Sequence, residues 1–425
     1  MLLYHAVFLL LVVGTTGFFT ALAVLDVRHA ERTVRERADW LADTLDIQDP
    51  DRLLDYHRLT TATSQLESVV TLGVVLLVLY TGAFGTALDA ITTMVGNPLL
   101  AGVAVFVAAT LALQLLGLPF DVLSTFGVEA AFGFNQQSPA LFARDKLVGT
   151  GVAVVLVGVL GAGVLYTVQA VPGLWWLAAT GVVVAFMLAS QVLLPRVVMP
   201  LFYDFEPIED SDLRDAIEDV FDRAGFTCDQ VYVMDASSRS SHSNAFFTGF
   251  GRTKRVVLYD TLVDQMDTKA VQSVLAHELA HWKRAHIWKN LATSAVRVAI
   301  LLFVAQYLVG SPWLYELFAV PQTPAAGLLL AGLWLQPLDQ LTRPLRNRLW
   351  LAYEREADAF ARDVMGTGDH LADALANLTS ENLSNPFPHP LYERFHYTHP
   401  PVPERIHALT EEPETTETAT ANPVA

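Results

Sequence analysis

Sulfur and lysine are both scarce in this chain. A single cysteine, Cys228, stands among 425 residues, which excludes an internal disulfide and a thiolate metal cluster. Lysine occurs only at Lys146, Lys254, Lys269, Lys283 and Lys289, so arginine supplies most of the 27 basic side chains set against 44 acidic ones. The formal net charge of −17 argues against a nucleic-acid partner. An acidic, lysine-poor balance suits a protein kept soluble in concentrated salt, because carboxylates hold water while salt screens their repulsion. Charged residues make up 17% of the chain and hydrophobic ones 52%. The mean hydropathy is +0.37, too apolar for an ordinary soluble protein and suited to repeated passage through a lipid bilayer.

Seven apolar runs stand out, at residues 6–25, 69–88, 99–118, 147–168, 174–194, 292–309 and 325–342. Each is near the roughly 20 residues a helix needs to cross the hydrocarbon core. No Lys or Arg precedes the first, which reads as a retained span rather than a cleaved leader. Pro337 and Asp339 interrupt the seventh. Arg28, Arg32, Arg35, Arg37, Arg52 and Arg58 follow the first run; Arg144 and Lys146 precede the fourth; Arg196 follows the fifth; Arg343, Arg346 and Arg348 follow the seventh. The alternate loops, 92–98, 170–173 and 310–324, carry neither Lys nor Arg. Seven spans with the N-terminus outside and the C-terminus cytoplasmic satisfy this asymmetry.

A polar insert separates the fifth and sixth runs. Asp210 or Ser211 caps a helix with Leu213, Ile217, Val220 and Phe221 on one face. Residues 231–234, 244–250 and 255–259 read as strands, the last two joined by 251–254 into a hairpin whose edge can pair with an extended peptide. The insert ends on VQSVLAHELAHWKRAHIWKN, residues 271–290, which contains H-E-x-x-H. Asp267 and Thr268 offer an N-cap, and residues 269–289 hold neither Gly nor Pro, so one helix is expected. Its four-residue spacing stacks His277 over His281 to face one metal ion. Glu278 beside them can take a proton from a water that zinc has acidified.

A catalytic zinc keeps three protein ligands. WLAYEREADAFA, residues 350–361, offers Glu354 as the third and Asp358, one turn on, as the group that orients an imidazole. Two crossings between His281 and Glu354 return the chain to the same side. Glu356 points elsewhere. His286 lies about 140° round a continuous helix from His281, which suits a structural or supporting role. His242, His389, His396 and His407 are assigned to the surface or to packing.

These stretches, together with RSSHSNAFFTGFGRTKRVVLYDTL (239–262), HYTHPPVPERI (396–406), FGFNQQSPALFARDK (132–146) and PRVVMPLFYDFEPI (195–208), resemble the type I CaaX prenyl protease family. Its members are integral membrane zinc metalloproteases of the gluzincin kind. The resemblance implies a mainly α, multi-pass protein, a seven-helix transmembrane barrel around a water-filled chamber with a small α+β catalytic domain. It places one Zn2+ per chain near the cytoplasmic side. It also implies that Asn244 and His399 stabilise the oxyanion, with Arg405 supporting the site.

The expected division is 1–195, five spans and their loops; 196–291, the catalytic insert; 292–342, two spans; 343–409, the segment with the third ligand; and 410–425, a disordered acidic tail. The reading is a membrane zinc endopeptidase acting on a peptide or protein, with C-terminal prenylation of the substrate left open. The competing readings are an HtpX-like quality-control protease and a seven-span receptor or transporter with an incidental metal motif. Oligomeric state is not legible.

Overall fold

Three of the long helices begin in the same way, with a polar cap followed by proline. Asp49, Asn97 and Ser138 each accept a backbone N–H from the first turn, and Pro50, Pro98 and Pro139 occupy the position where a missing donor costs nothing. The computed structural model describes residues 1–209, 211–228, 230–249 and 254–411. The possible Asp210 cap, the hairpin turn and nearly all of the acidic tail lie outside them.

Among the described residues, six helices are long and apolar enough to cross a membrane: Leu2–Glu36, Pro50–Tyr80, Pro98–Glu129, Pro139–Ala170, Trp175–Leu201 and His286–Val309. Their outward faces carry exposed apolar side chains, as at Val155 and Val159 or Val296 and Ile300, which hydrocarbon solvates and water would not. Where helices approach closely, small residues allow it: a Cβ on Gly161 would sit 2.7 Å from the Phe106 ring.

The expected count of seven is therefore corrected to six. The seventh run does form a helix, Pro324–Leu341, but Gln336, Pro337, Asp339 and Gln340 lower its hydropathy. Protein rather than lipid covers it. Ala325, Ala326, Leu330 and Trp334 are buried with Phe8, Leu79, Val105 and Leu165 of four other helices. Asp339 pairs with Arg297 on the helix before it.

Polar space lies among these helices. A cavity of about 1150 Å³ is lined in part by Gln114, Asp121, Glu129, Asp145, Arg239 and His242. A second of about 520 Å³ is lined by Thr15, Gln65, Gln336 and Gln340 among others, and Glu67 lines both. Such groups are tolerated at membrane depth where they face protein or enclosed water.

The insert forms a four-stranded sheet of β1 (Phe205–Pro207), β2 (Val231–Met234), β3 (Ala245–Thr248) and β4 (Arg255–Tyr259) in the order β1-β2-β4-β3. β2 and β4 run parallel; β1 and β3 are antiparallel to their neighbours and form the edges. Ser211 caps the helix Asp212–Arg223, whose Ile217, Val220 and Phe221 share a core with Val256 and Leu258 of β4. The same core takes in Val271, Leu275 and Leu279 of the helix Thr268–Lys283 and Ala361, Leu371, Leu375 and Leu409 from the C-terminal segment. Apolar burial thus binds the insert to the end of the chain directly beneath the H-E-x-x-H face.

The single helix expected through residue 289 is broken. Thr268–Lys283 ends before Ala285, whose φ of +58° lies in the left-handed region, and His286–Val309 starts in a new direction.

Candidate metal centre

The motif helix starts where its sequence directs, with the Asp267 side chain accepting the Ala270 amide at 2.8 Å. One face then presents His277 and His281 with their Nε2 atoms 3.3 Å apart. The helix Arg343–Met365 brings Glu354, 2% exposed, against both: Oε2 is 3.3 Å from Nε2 of His277 and Oε1 is 3.3 Å from Nε2 of His281. Among the described residues this is the one group of three that could hold a metal ion, its donor atoms all within 4.8 Å of one another.

The outer nitrogen of His277 is spoken for. Nδ1 lies 2.9 Å from Oδ1 of Asp358. Arg405, on the helix Val402–Thr410, donates to both oxygens of that carboxylate at 2.6 and 2.9 Å. A ring N–H at Nδ1 leaves a lone pair at Nε2. Two imidazole lone pairs and a carboxylate then converge, and the buried Oε2 of Glu354 has no hydrogen bond. An unpaired buried carboxylate oxygen is costly, and this donor set suits a divalent cation held by nitrogen and oxygen.

The electrostatics favour positive charge at this spot, which a proton on His277 or a bound cation can supply. Burial opposes charge on His277, yet the carboxylates of Asp358 and Glu354 push its imidazole up to about 9. Burial, and then the charge of His277, pushes His281 down to about 4. Asp358, though buried, is held well below the usual carboxylate range by His277 and Arg405. Burial pushes the Glu278 carboxyl up to about 7, with His277 opposing and Glu354 reinforcing. A carboxyl so placed can exchange protons near neutrality.

His399 reaches the group from the C-terminal segment, with Nε2 3.4 Å from Oε2 of Glu354 and more than half of its side chain exposed. Asn244 is exposed immediately before edge strand β3, and its Oδ1 accepts the Ala245 amide at 2.8 Å. No hydrogen bond joins Asn244 to His277, His281 or Glu354 among the described residues. His286, expected to support the site or the packing, touches His281: their Nδ1 atoms are 3.1 Å apart. His242, expected to serve surface or packing, is a node between elements, with Nδ1 2.8 Å from Oδ1 of Asn382 and Nε2 3.3 Å from Oε2 of Glu129.

The model of peptidase family M48 matches residues 207–413. The model described as the CAAX prenyl protease N-terminal region, five membrane helices, matches residues 26–204. A CAAX prenyl protease 1 homolog of Oryza sativa is 36% identical over 300 residues, 70% of each chain. The chain belongs to the CAAX prenyl protease family. It is an integral membrane metallopeptidase, as the metal-suited group beside Glu278 led one to expect. CAAX prenyl protease 1 of Saccharomyces cerevisiae is 32% identical over 69% of each chain. The crystal structure of S. mikatae Ste24p is similar throughout, with a TM-score of 0.86 at 25% identity over 95% of this chain and 98% of that one. That coverage takes in the spans as well as the insert and the C-terminal segment.

Proposed function

We propose that this metallopeptidase is a zinc endopeptidase in which His277, His281 and Glu354 hold one Zn2+ per chain. The observation that carries the reading is the convergence of two imidazole nitrogens and the buried Glu354 carboxylate, one oxygen of which has no hydrogen bond. Zinc bound there would supply Lewis-acid chemistry, polarising the scissile carbonyl and acidifying water. Glu278 accepts the proton of the attacking water and delivers it to the departing amine. Asn244 and His399 donate to the oxygen that gains charge. Asp358, fixed by Arg405, holds His277 in the tautomer that offers Nε2. The substrate backbone pairs with the free edge of β3, next to Asn244.

The relatives' name suggests the substrate, a protein whose C-terminal region carries a prenylated cysteine. In this reading the spans fall within 1–195 and 292–342, the catalytic parts within 196–291 and 343–409, and 410–425 is a tail. The Arg and Lys residues flanking the first five spans support an N-terminus outside and a metal group toward the cytoplasm.

The testing experiment is Glu278→Gln in purified protein, with zinc content and peptide hydrolysis both measured. We expect one zinc per chain and a loss of turnover of roughly 100- to 10,000-fold. Undiminished turnover refutes the assignment. Matched prenylated and unprenylated peptides then decide the substrate class.

A further inference from the structure

We propose that His286 and Glu356 position His281 through a directed chain of hydrogen bonds, so that its Nε2 is always the nitrogen offered to the metal. This rests on the zinc reading above. His286 is 1% exposed and both of its ring nitrogens are engaged. Nδ1 faces Nδ1 of His281 at 3.1 Å, and Nε2 faces Oε2 of Glu356 at 3.0 Å.

The proton positions follow in order. An ionised carboxylate only accepts, so the His286 proton sits on Nε2 and is donated to Glu356. A neutral ring with its proton there has a lone pair at Nδ1. That lone pair accepts from Nδ1–H of His281, and the remaining lone pair of His281 lies at Nε2, facing His277 and Glu354. Reversing any one bond sets two lone pairs or two protons against each other.

The fold supplies this chain by two devices. The break at Ala285, φ +58°, brings His286 back toward His281, which a continuous helix would carry away. The helix bearing Glu354 then holds His286 from two positions: Tyr353 stacks on its ring at 4.4 Å and 16°, and Glu356 accepts its Nε2–H. Each metal-binding imidazole therefore has its own carboxylate-anchored support. His277 has Asp358 and Arg405; His281 has His286 and Glu356.

The test uses the full-length protein and reads zinc affinity by chelator competition, with the absorption bands of the cobalt-substituted form as a second signature. His286→Phe keeps the stacking and removes both hydrogen bonds; it should weaken zinc by roughly 10- to 100-fold and shift the cobalt bands. Glu356→Ala should weaken zinc less, and Glu356→Gln, whose amide oxygen still accepts, should recover most of that loss. The double variant His286→Phe with Glu356→Ala should be no weaker than His286→Phe alone, because one chain is cut twice. Glu356 is half-exposed, so Glu356→Ala tests the chain even if His286→Phe fails to fold. Wild-type affinity in either variant, beside a zinc-holding parent, overturns the chain alone. A parent that binds no zinc overturns the metal reading and this inference with it.

Discussion

Nδ1 of His277 lies 2.9 Å from Oδ1 of Asp358, a residue the chain reaches only after the two long helices His286–Val309 and Pro324–Leu341. The carboxylate is shared with Arg405 and buried, so its loss acts on both partners. Asp358→Asn should lower zinc affinity or turnover by roughly 10- to 100-fold. It should also lower the melting temperature, because the buried guanidinium loses its counter-charge. Zinc titration and thermal melting check the two effects separately.

His399 and Asn244 belong to the proposed oxyanion site. His399→Ala and Asn244→Ala should each reduce kcat by roughly 100- to 1000-fold while zinc content stays near one per chain. A change confined to KM would show that these side chains bind substrate without acting on the transition state.

His242 couples the insert to the helix Pro98–Glu129. Its hydrogen bond to Glu129, against burial and with help from Asn382, raises its imidazole above the ordinary 6.5. A group raised on folding stabilises fully below its unfolded value, and that contribution is lost as pH rises through the folded value. Wild-type protein should therefore lose more melting temperature than His242→Gln as pH rises above the ordinary 6.5. Parallel curves would show that the histidine does not couple these elements.

Ala285 holds a left-handed backbone that costs an L-residue roughly 1–2 kcal/mol. Ala285→Gly removes that strain and adds unfolded-chain entropy, so a net gain of up to about 1 kcal/mol is expected. Ala352→Gly, on an exposed helical position, should instead lose about 1 kcal/mol. Denaturation of the two variants side by side reads the difference in sign.

Much of this architecture was readable before any coordinates, and the exceptions share a cause. Six of the apolar runs correspond to helices that qualify as spans because lipid contact is what hydropathy measures. The seventh fell short for the same reason: Pro324–Leu341 faces protein and polar space, so Gln336, Asp339 and Gln340 are tolerated there. β1 escaped notice because Phe205–Pro207 is short, contains proline and exists only by pairing with β2. The break at Ala285 has no local signal, since neither Gly nor Pro is present; it depends on the partners of His286 across the fold. In the metal group, helical spacing brought His277 to His281, and the return of the chain brought Glu354 to both. The contact between His281 and His286 was hidden by the assumption of one unbroken helix. The surface or packing role assigned to His242 missed Glu129 and Asn382, which are far from it in sequence.

The three proposed ligands straddle a pair of long helices, with both histidines before them and the glutamate after. A nascent chain that has emerged only as far as residue 309 owns two of the proposed ligands and not the third, and its general base Glu278 has no complete metal site to serve. Hydrolytic competence is then the last property the growing polypeptide acquires.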